Sequence, residues 1–159
     1  MRVIAGALKG RRLVTPRGVT TRPTADQVRI ALDERRVRGP ARETFVERDR
    51  RALDALVENV RTLELEARTD VVRGDVVRQL SRLAGEGRRF EIVFLDPPYA
   101  TDDGERALAA LGGSALIAPE GLVIAQHLTK RRLPEFGCLR AFRDRRFGET
   151  SLTFFRAEE

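Results

Sequence analysis

Asp96-Pro97-Pro98-Tyr99 follows directly on the apolar run Phe90-Glu91-Ile92-Val93-Phe94-Leu95, and this order of residue types suits one kind of chemistry. An amine nitrogen conjugated to a base ring is a poor nucleophile. Acceptors must hold its two hydrogens and aim the developing lone pair at a methyl donor. Asp96 and the carbonyl of Pro97 can be those acceptors. Two successive prolines, Pro97 and Pro98, fix the backbone and leave two carbonyls free of the local hydrogen-bond ladder. Tyr99 offers a face on which an extruded base can stack. Such a group belongs just outside the carboxyl end of a buried parallel strand, where open α/β sheets bind their ligands. The catalytic candidates are Asp96, Pro97, Pro98 and Tyr99.

Hydropathy patterning supplies the scaffold. Strand and helix alternate from Glu43 onward: a strand at Thr44-Phe45-Val46, a helix over about Arg50 to Leu63, a strand at Val71-Val72 and a helix over about Val76 to Leu83. The apolar strand Phe90 to Leu95 comes next, then a helix over Glu105 to Leu111 and a strand from Leu122 to Ala125. Strands around Leu139 to Phe142 and Leu152 to Phe155 end the chain. Strands separated by helices of this length imply βαβ units and a largely parallel sheet covered on both faces. Only Arg143 to Thr150 separate the last two strands, which predicts an antiparallel hairpin at one edge. This pattern resembles the methyltransferase variant of the doubly wound, Rossmann-like α/β fold. Residues 1–24 read as a basic N-terminal hairpin or arm, and residues 25–159 as the α/β domain, in one compact whole. Thr24-Ala25-Asp26-Gln27 is a capping-box pattern and predicts a helix carrying Val28, Ala31 and Leu32.

The 159 residues suit a single domain. Lys+Arg number 30 against 24 Asp+Glu, and lysine occurs only at Lys9 and Lys130. Arginine forks pair with phosphates and stack on bases, so a net charge of +6 carried by arginine invites a nucleic-acid partner. Cys138 is the only cysteine, which excludes a disulfide framework and a multi-cysteine zinc site within one chain. His127, the only histidine, reads as structural, and Cys138 as a small apolar residue. No metal is expected. With no hydrophobic leader after Met1 and no apolar run near 18 residues, the expected location is the cytoplasm.

Together, Met1-Arg2-Val3-Ile4-Ala5-Gly6, Lys9-Gly10-Arg11-Arg12-Leu13, Thr21-Arg22-Pro23-Thr24, Phe45-Val46-Glu47, Asp96 to Tyr99 and Gly148-Glu149-Thr150 resemble the RsmD family. These are bacterial S-adenosylmethionine-dependent methyltransferases that modify guanine N2 in small-subunit (16S) ribosomal RNA. The resemblance implies that Glu47, at the end of the family's second strand, accepts hydrogen bonds from the cofactor's ribose hydroxyls. It places Asp75 beside the cofactor's adenine and Asp96 at the methyl donor. It implies RNA contacts from Lys9, Arg11, Arg12 and Arg22, where phosphate pairing would fix register without reading sequence. The expected partner is small-subunit ribosomal RNA or its assembling ribonucleoprotein particle, with no membrane.

One departure matters. The family's first strand ends in an acidic residue and a glycine-rich loop that lets the backbone approach the cofactor's methionine portion. The family pattern stops near Leu32 and resumes near Arg42 or Glu43, with only Asp33 to Ala41 between. A strand, turn and helix start need about 20 residues or more there. Gly39-Pro40 offers no row of amide donors, and Gly85-Glu86-Gly87 reads as an ordinary connection between helix and strand. In the family sheet the first strand lies between the second and the fourth. Its absence would force those two to pair directly or leave unpaired backbone in the middle of the core. Three readings follow: an active guanine-N2 methyltransferase, a non-catalytic RNA-binding remnant, and a DNA adenine-N6 methyltransferase, for which the chain is short of a target-recognition domain. A family histidine is usually preceded by an acidic residue, whereas Gln126 precedes His127 here.

Overall fold

The computed structural model describes residues 12–14 and 42–158. The predicted arm, apart from residues 12–14, and the predicted helix after Thr24 lie outside the described residues. The chain divides into two units, Met1–Asp75 and Val76–Glu159.

In the first unit, β1 (Glu43–Glu47) is followed by helix α1 (Arg50–Thr62), a short 3-10 turn (Glu66–Arg68) and β2 (Thr69–Arg73). Helix α1 starts where Asp49 accepts a hydrogen bond from the Ala52 amide at 2.9 Å, satisfying a backbone donor that the first turn leaves open. It buries Ala55 and Val60. Strands β1 and β2 pair in parallel with Phe45 opposite Val71 and Glu47 opposite Arg73. Arg42 closes the amino end of this pair on Asp70 through bonds of 2.9 and 2.7 Å. The hydrogen bond first, and the carboxylate's charge second, raise the Arg42 pKa above its ordinary value. Residues 12–14 meet the same unit: Val14 and Asn59 of α1 exchange two hydrogen bonds, at 2.7 and 3.0 Å.

The second unit runs α2 (Val76–Gly85), β3 (Phe90–Leu95), α3 (Asp103–Gly112), β4 (Ile117–Leu128), β5 (Leu139–Phe147) and β6 (Thr150–Ala157). The strand order is β3-β4-β6-β5. Strand β3 is parallel to β4, and the remaining pairs are antiparallel. This is the expected α/β sheet with a carboxyl-terminal hairpin. Its core holds Phe154, Phe155, Leu152, Leu139, Val123, Leu108, Leu111 and Leu116.

Two boundaries differ from the sequence reading. Strand β4 begins at Ile117, but Ala118-Pro119-Glu120-Gly121 interrupts it, with Glu120 at φ 60°, and regular pairing with β3 resumes at Ile92 opposite Leu122. The apolar signal thus marks where pairing resumes, not where the strand starts. The final hairpin is tighter than expected. Arg143 to Phe147 extend β5, leaving only Gly148-Glu149 as the turn, with Gly148 at φ 63° as a two-residue hairpin requires. Alternating arginines on an edge strand hide the hydrophobic periodicity by which a strand is read.

Strand β3 also departs from the expected burial on both faces. Ile92 is 50% and Phe94 37% exposed, although their partners on β4, Leu122 and Ile124, are buried. Among the named strands β3 pairs only with β4.

The carboxyl end of α3 meets the loop before β5 backbone to backbone. The Cys138 amide donates to the Gly112 carbonyl at 3.0 Å, and a Cβ at Gly112 would collide with the Phe136 carbonyl. Gly112→Ala is therefore expected to destabilise the second unit by about 1–3 kcal/mol, the cost of overpacking a site where only backbone can yield. Urea unfolding of the full chain checks this, and an unchanged midpoint would contradict it.

Candidate active site

The β3 strand delivers Asp96 at its carboxyl end, and the register of β4, with Leu95 opposite Ala125, brings Gln126 alongside. Gln126 Nε2 donates to Asp96 Oδ1 at 2.7 Å and to the Tyr99 hydroxyl at 2.9 Å. The Tyr99 hydroxyl also bonds Thr150 Oγ1 at 3.2 Å, which ties the segment to the start of β6. Asp96 is exposed, Tyr99 half-buried and Gln126 buried.

The two prolines behave differently. The Pro98 carbonyl closes a turn by accepting from the Thr101 amide at 3.2 Å and from Thr101 Oγ1 at 3.1 Å. No described residue donates to the Pro97 carbonyl, so one of the two expected free carbonyls is available and the other is not. Gly104, in the first turn of α3, is what admits the Pro97 ring, since a Cβ there would lie 2.7 Å from its Cγ. Arg131 holds the connecting loop from outside, donating to Glu105 at 2.8 Å and to the Thr101 carbonyl at 2.9 Å.

A cleft opens beside this segment, and its lining includes Pro97, Pro98, Tyr99, Thr101, Leu108, Gln126 and Arg131. Asp96 itself is not among its lining residues. His127 serves the sheet. Its Nδ1 bonds the Leu128 carbonyl at 2.9 Å and its Nε2 bonds Thr153 Oγ1 at 2.8 Å, so both ring nitrogens are engaged. Thr153 in turn donates to Asp144 at 2.6 Å.

In the first unit, parallel pairing sets Glu47 and Asp75 at the same edge. The Gly74 amide, one residue before Asp75, donates to the Glu47 carbonyl at 3.0 Å. Glu47 Oε1 accepts from the amides of Arg48 and Asp49, both at 2.8 Å, which orients the carboxylate and leaves Oε2 with no donor among the described residues. Of the predicted RNA-contacting residues, Lys9, Arg11 and Arg22 lie outside the described residues, and Arg12 is exposed. No group of three or more His, Cys, Asp or Glu among the described residues could hold a metal ion. No helix among them is long and apolar enough to cross a membrane.

Sequence reasoning passed over Gln126. The signal was present, because two parallel strands that end together set the residue after Ala125 beside the residue after Leu95. Register, however, is not legible until the pairing is known.

A family model described as "Conserved hypothetical protein 95" matches residues 1–35 and 33–156. The two stretches meet where the sequence lacks the glycine-rich loop. YlbH of Bacillus subtilis (strain 168), named as a candidate rRNA methyltransferase, is 31% identical over 181 residues, covering 98% of each chain. That span exceeds the 159 residues present here, so the relative carries a segment without counterpart in this chain. Ribosomal RNA small subunit methyltransferase D of Escherichia coli (strain K12) is 28% identical over 158 residues, covering 84% of this chain and 78% of that one. The solved structure of yhhF from Escherichia coli, named as a candidate methyltransferase, superposes with a TM-score of 0.79 at 25% identity, covering 99% of this chain and 98% of that one. The fold is thus that of the Rossmann-like methyltransferases, and the chain belongs to the RsmD-like family that its motifs resemble.

Proposed function

We propose that this chain is an S-adenosylmethionine-dependent methyltransferase acting on the exocyclic N2 amine of a guanine in small-subunit (16S) ribosomal RNA, in the cytoplasm, on naked RNA or an assembling particle. The observation that carries the reading is the end of β3: a carboxylate fixed by Gln126, an open Pro97 carbonyl and a tethered Tyr99 ring. The names of the relatives support rRNA as the substrate class.

The residues fit the adenosine half of the cofactor. Glu47 presents a carboxylate oriented through one oxygen, suited to ribose hydroxyls, and Asp75 stands at the same strand edge for the adenine. For the methionine half the sequence offers no glycine-rich loop, so no step is assigned to residues there. When bound, the cofactor supplies an electrophilic methyl group. Asp96 and the Pro97 carbonyl hold the two amine hydrogens, Tyr99 stacks on the base, and the nitrogen lone pair is left pointing away from both acceptors. Asp96 would also be among the residues that hold the methyl donor. Lys9, Arg11, Arg12 and Arg22 hold phosphates.

Incubating the purified chain with undermethylated small subunits and a labelled methyl donor tests this. Label on guanine N2 is the expected result. No transfer, together with no cofactor binding at millimolar ligand in calorimetry, rejects it. The interrupted family match favours one second reading, a non-catalytic RNA-binding remnant. That reading predicts salt-sensitive binding to small-subunit RNA without transfer. Label on duplex DNA, and none on ribosomal particles, would instead indicate adenine N6 chemistry.

A further inference from the structure

We propose that Gln126 is a positioning residue for the end of β3, one amide group that holds both the Asp96 carboxylate and the Tyr99 ring. The two ends of this amide are satisfied unequally. Gln126 is 6% exposed, and its Nε2 spends both hydrogens on Asp96 Oδ1 at 2.7 Å and the Tyr99 hydroxyl at 2.9 Å. Its Oε1 is buried with no hydrogen-bond partner.

A buried acceptor left unmet is costly, and an amide can ordinarily relieve it by turning over. Here the turn is blocked. Rotation would place Oε1 against the Asp96 carboxylate, acceptor against acceptor, and would exchange a charge-assisted bond for a repulsion. The amide is thus held in one orientation by Asp96, and reciprocally it fixes one oxygen of the carboxylate. The same donor group grips the phenol oxygen of Tyr99, whose other bond goes to Thr150 on β6. The two groups that would contact a base, one by hydrogen bonds and one by stacking, therefore share a single anchor in the interior of β4. Shared anchoring of this kind lowers the cost of ordering both groups when a substrate arrives.

The geometric part of the inference stands on the structure alone, and its kinetic consequence rests on the proposed methyl transfer. The chain has one tyrosine and no tryptophan, so its tyrosine fluorescence and the tyrosine band of its near-ultraviolet circular dichroism report Tyr99 alone. The test is Gln126→Leu in the full chain, with Gln126→Met read in its place if the leucine variant does not fold. Both remove the donor and keep the volume. The expected result is a normal far-ultraviolet spectrum with the near-ultraviolet tyrosine band largely lost. The rate constant for methyl transfer is expected to fall roughly 10- to 100-fold, with the KM for RNA little changed, as when an outer residue that orients a reacting group is removed. A folded variant with an unchanged tyrosine band overturns the inference, as does a lost band with an unchanged kcat in an active enzyme. If the band is lost while parent and variant alike fail to transfer methyl, the positioning role holds and it is the methyltransferase reading that falls.

Discussion

Asp96→Asn is expected to lower methyl transfer by about 10²- to 10³-fold, the usual loss when one preorganised polar group is removed from a reacting centre. The substitution keeps the shape of the side chain but changes what it can do. Gln126 Nε2 needs an acceptor at 2.7 Å, so the Asn oxygen would be drawn to it and the Asn NH2 group would take the place of the second carboxylate oxygen. A base amine would then meet a donor where it needs an acceptor. Because the bond to Gln126 survives, the melting temperature and the tyrosine signal should stay close to those of the parent. Initial rates at saturating RNA and cofactor measure the effect. An Asn variant with more than about a tenth of parental kcat would remove Asp96 from the reaction, since a tenfold change corresponds to only about 1.4 kcal/mol of barrier.

Phe155→Ala should have the largest effect on stability, about 3–5 kcal/mol. Phe155 is fully buried in β6, lies opposite Val123 of β4 and Ala141 of β5, and meets the Phe136 ring edge-on at a centroid distance of 6.3 Å. Removing it leaves a cavity in the core and takes away the ring contact with Phe136. Total stabilities of domains are about 5–15 kcal/mol, so this one change consumes a large share. Urea unfolding should show a lower midpoint with an unchanged slope. A loss below about 1 kcal/mol would mean that neighbouring side chains refill the space.

Most of the elements were legible in the sequence because their hydrophobic period is clean. Phe90 to Leu95 is an apolar run broken by Glu91 alone and followed by Asp96 and two prolines, and the strand has those bounds. A helix over about Arg50 to Leu63 is expected from the pattern, and the helix runs from Arg50 to Thr62. The edge strand β5 was legible only in part, since Arg143, Arg145 and Arg146 are retained as strand by pairing with β6 rather than by burial. At the candidate site the tetrapeptide announced itself by residue type. Gln126 did not, because its significance comes from lying beside Asp96 across two strands and not from its neighbours in the chain. The fate of the two proline carbonyls was likewise closed to sequence reasoning. Residue type alone treats the two alike, and only the turn at Thr101 decides which is consumed.

The single named neighbour of β3 has a consequence for handling the protein. A run of Phe, Ile, Val, Phe and Leu relieved by Glu91 alone, with Ile92 and Phe94 open to solvent, is the composition from which intermolecular strand addition starts. Solubility should therefore be governed by this stripe more than by net charge, and a lysine at Ile92 would act as a gatekeeper against self-association without touching the end of the strand that carries Asp96.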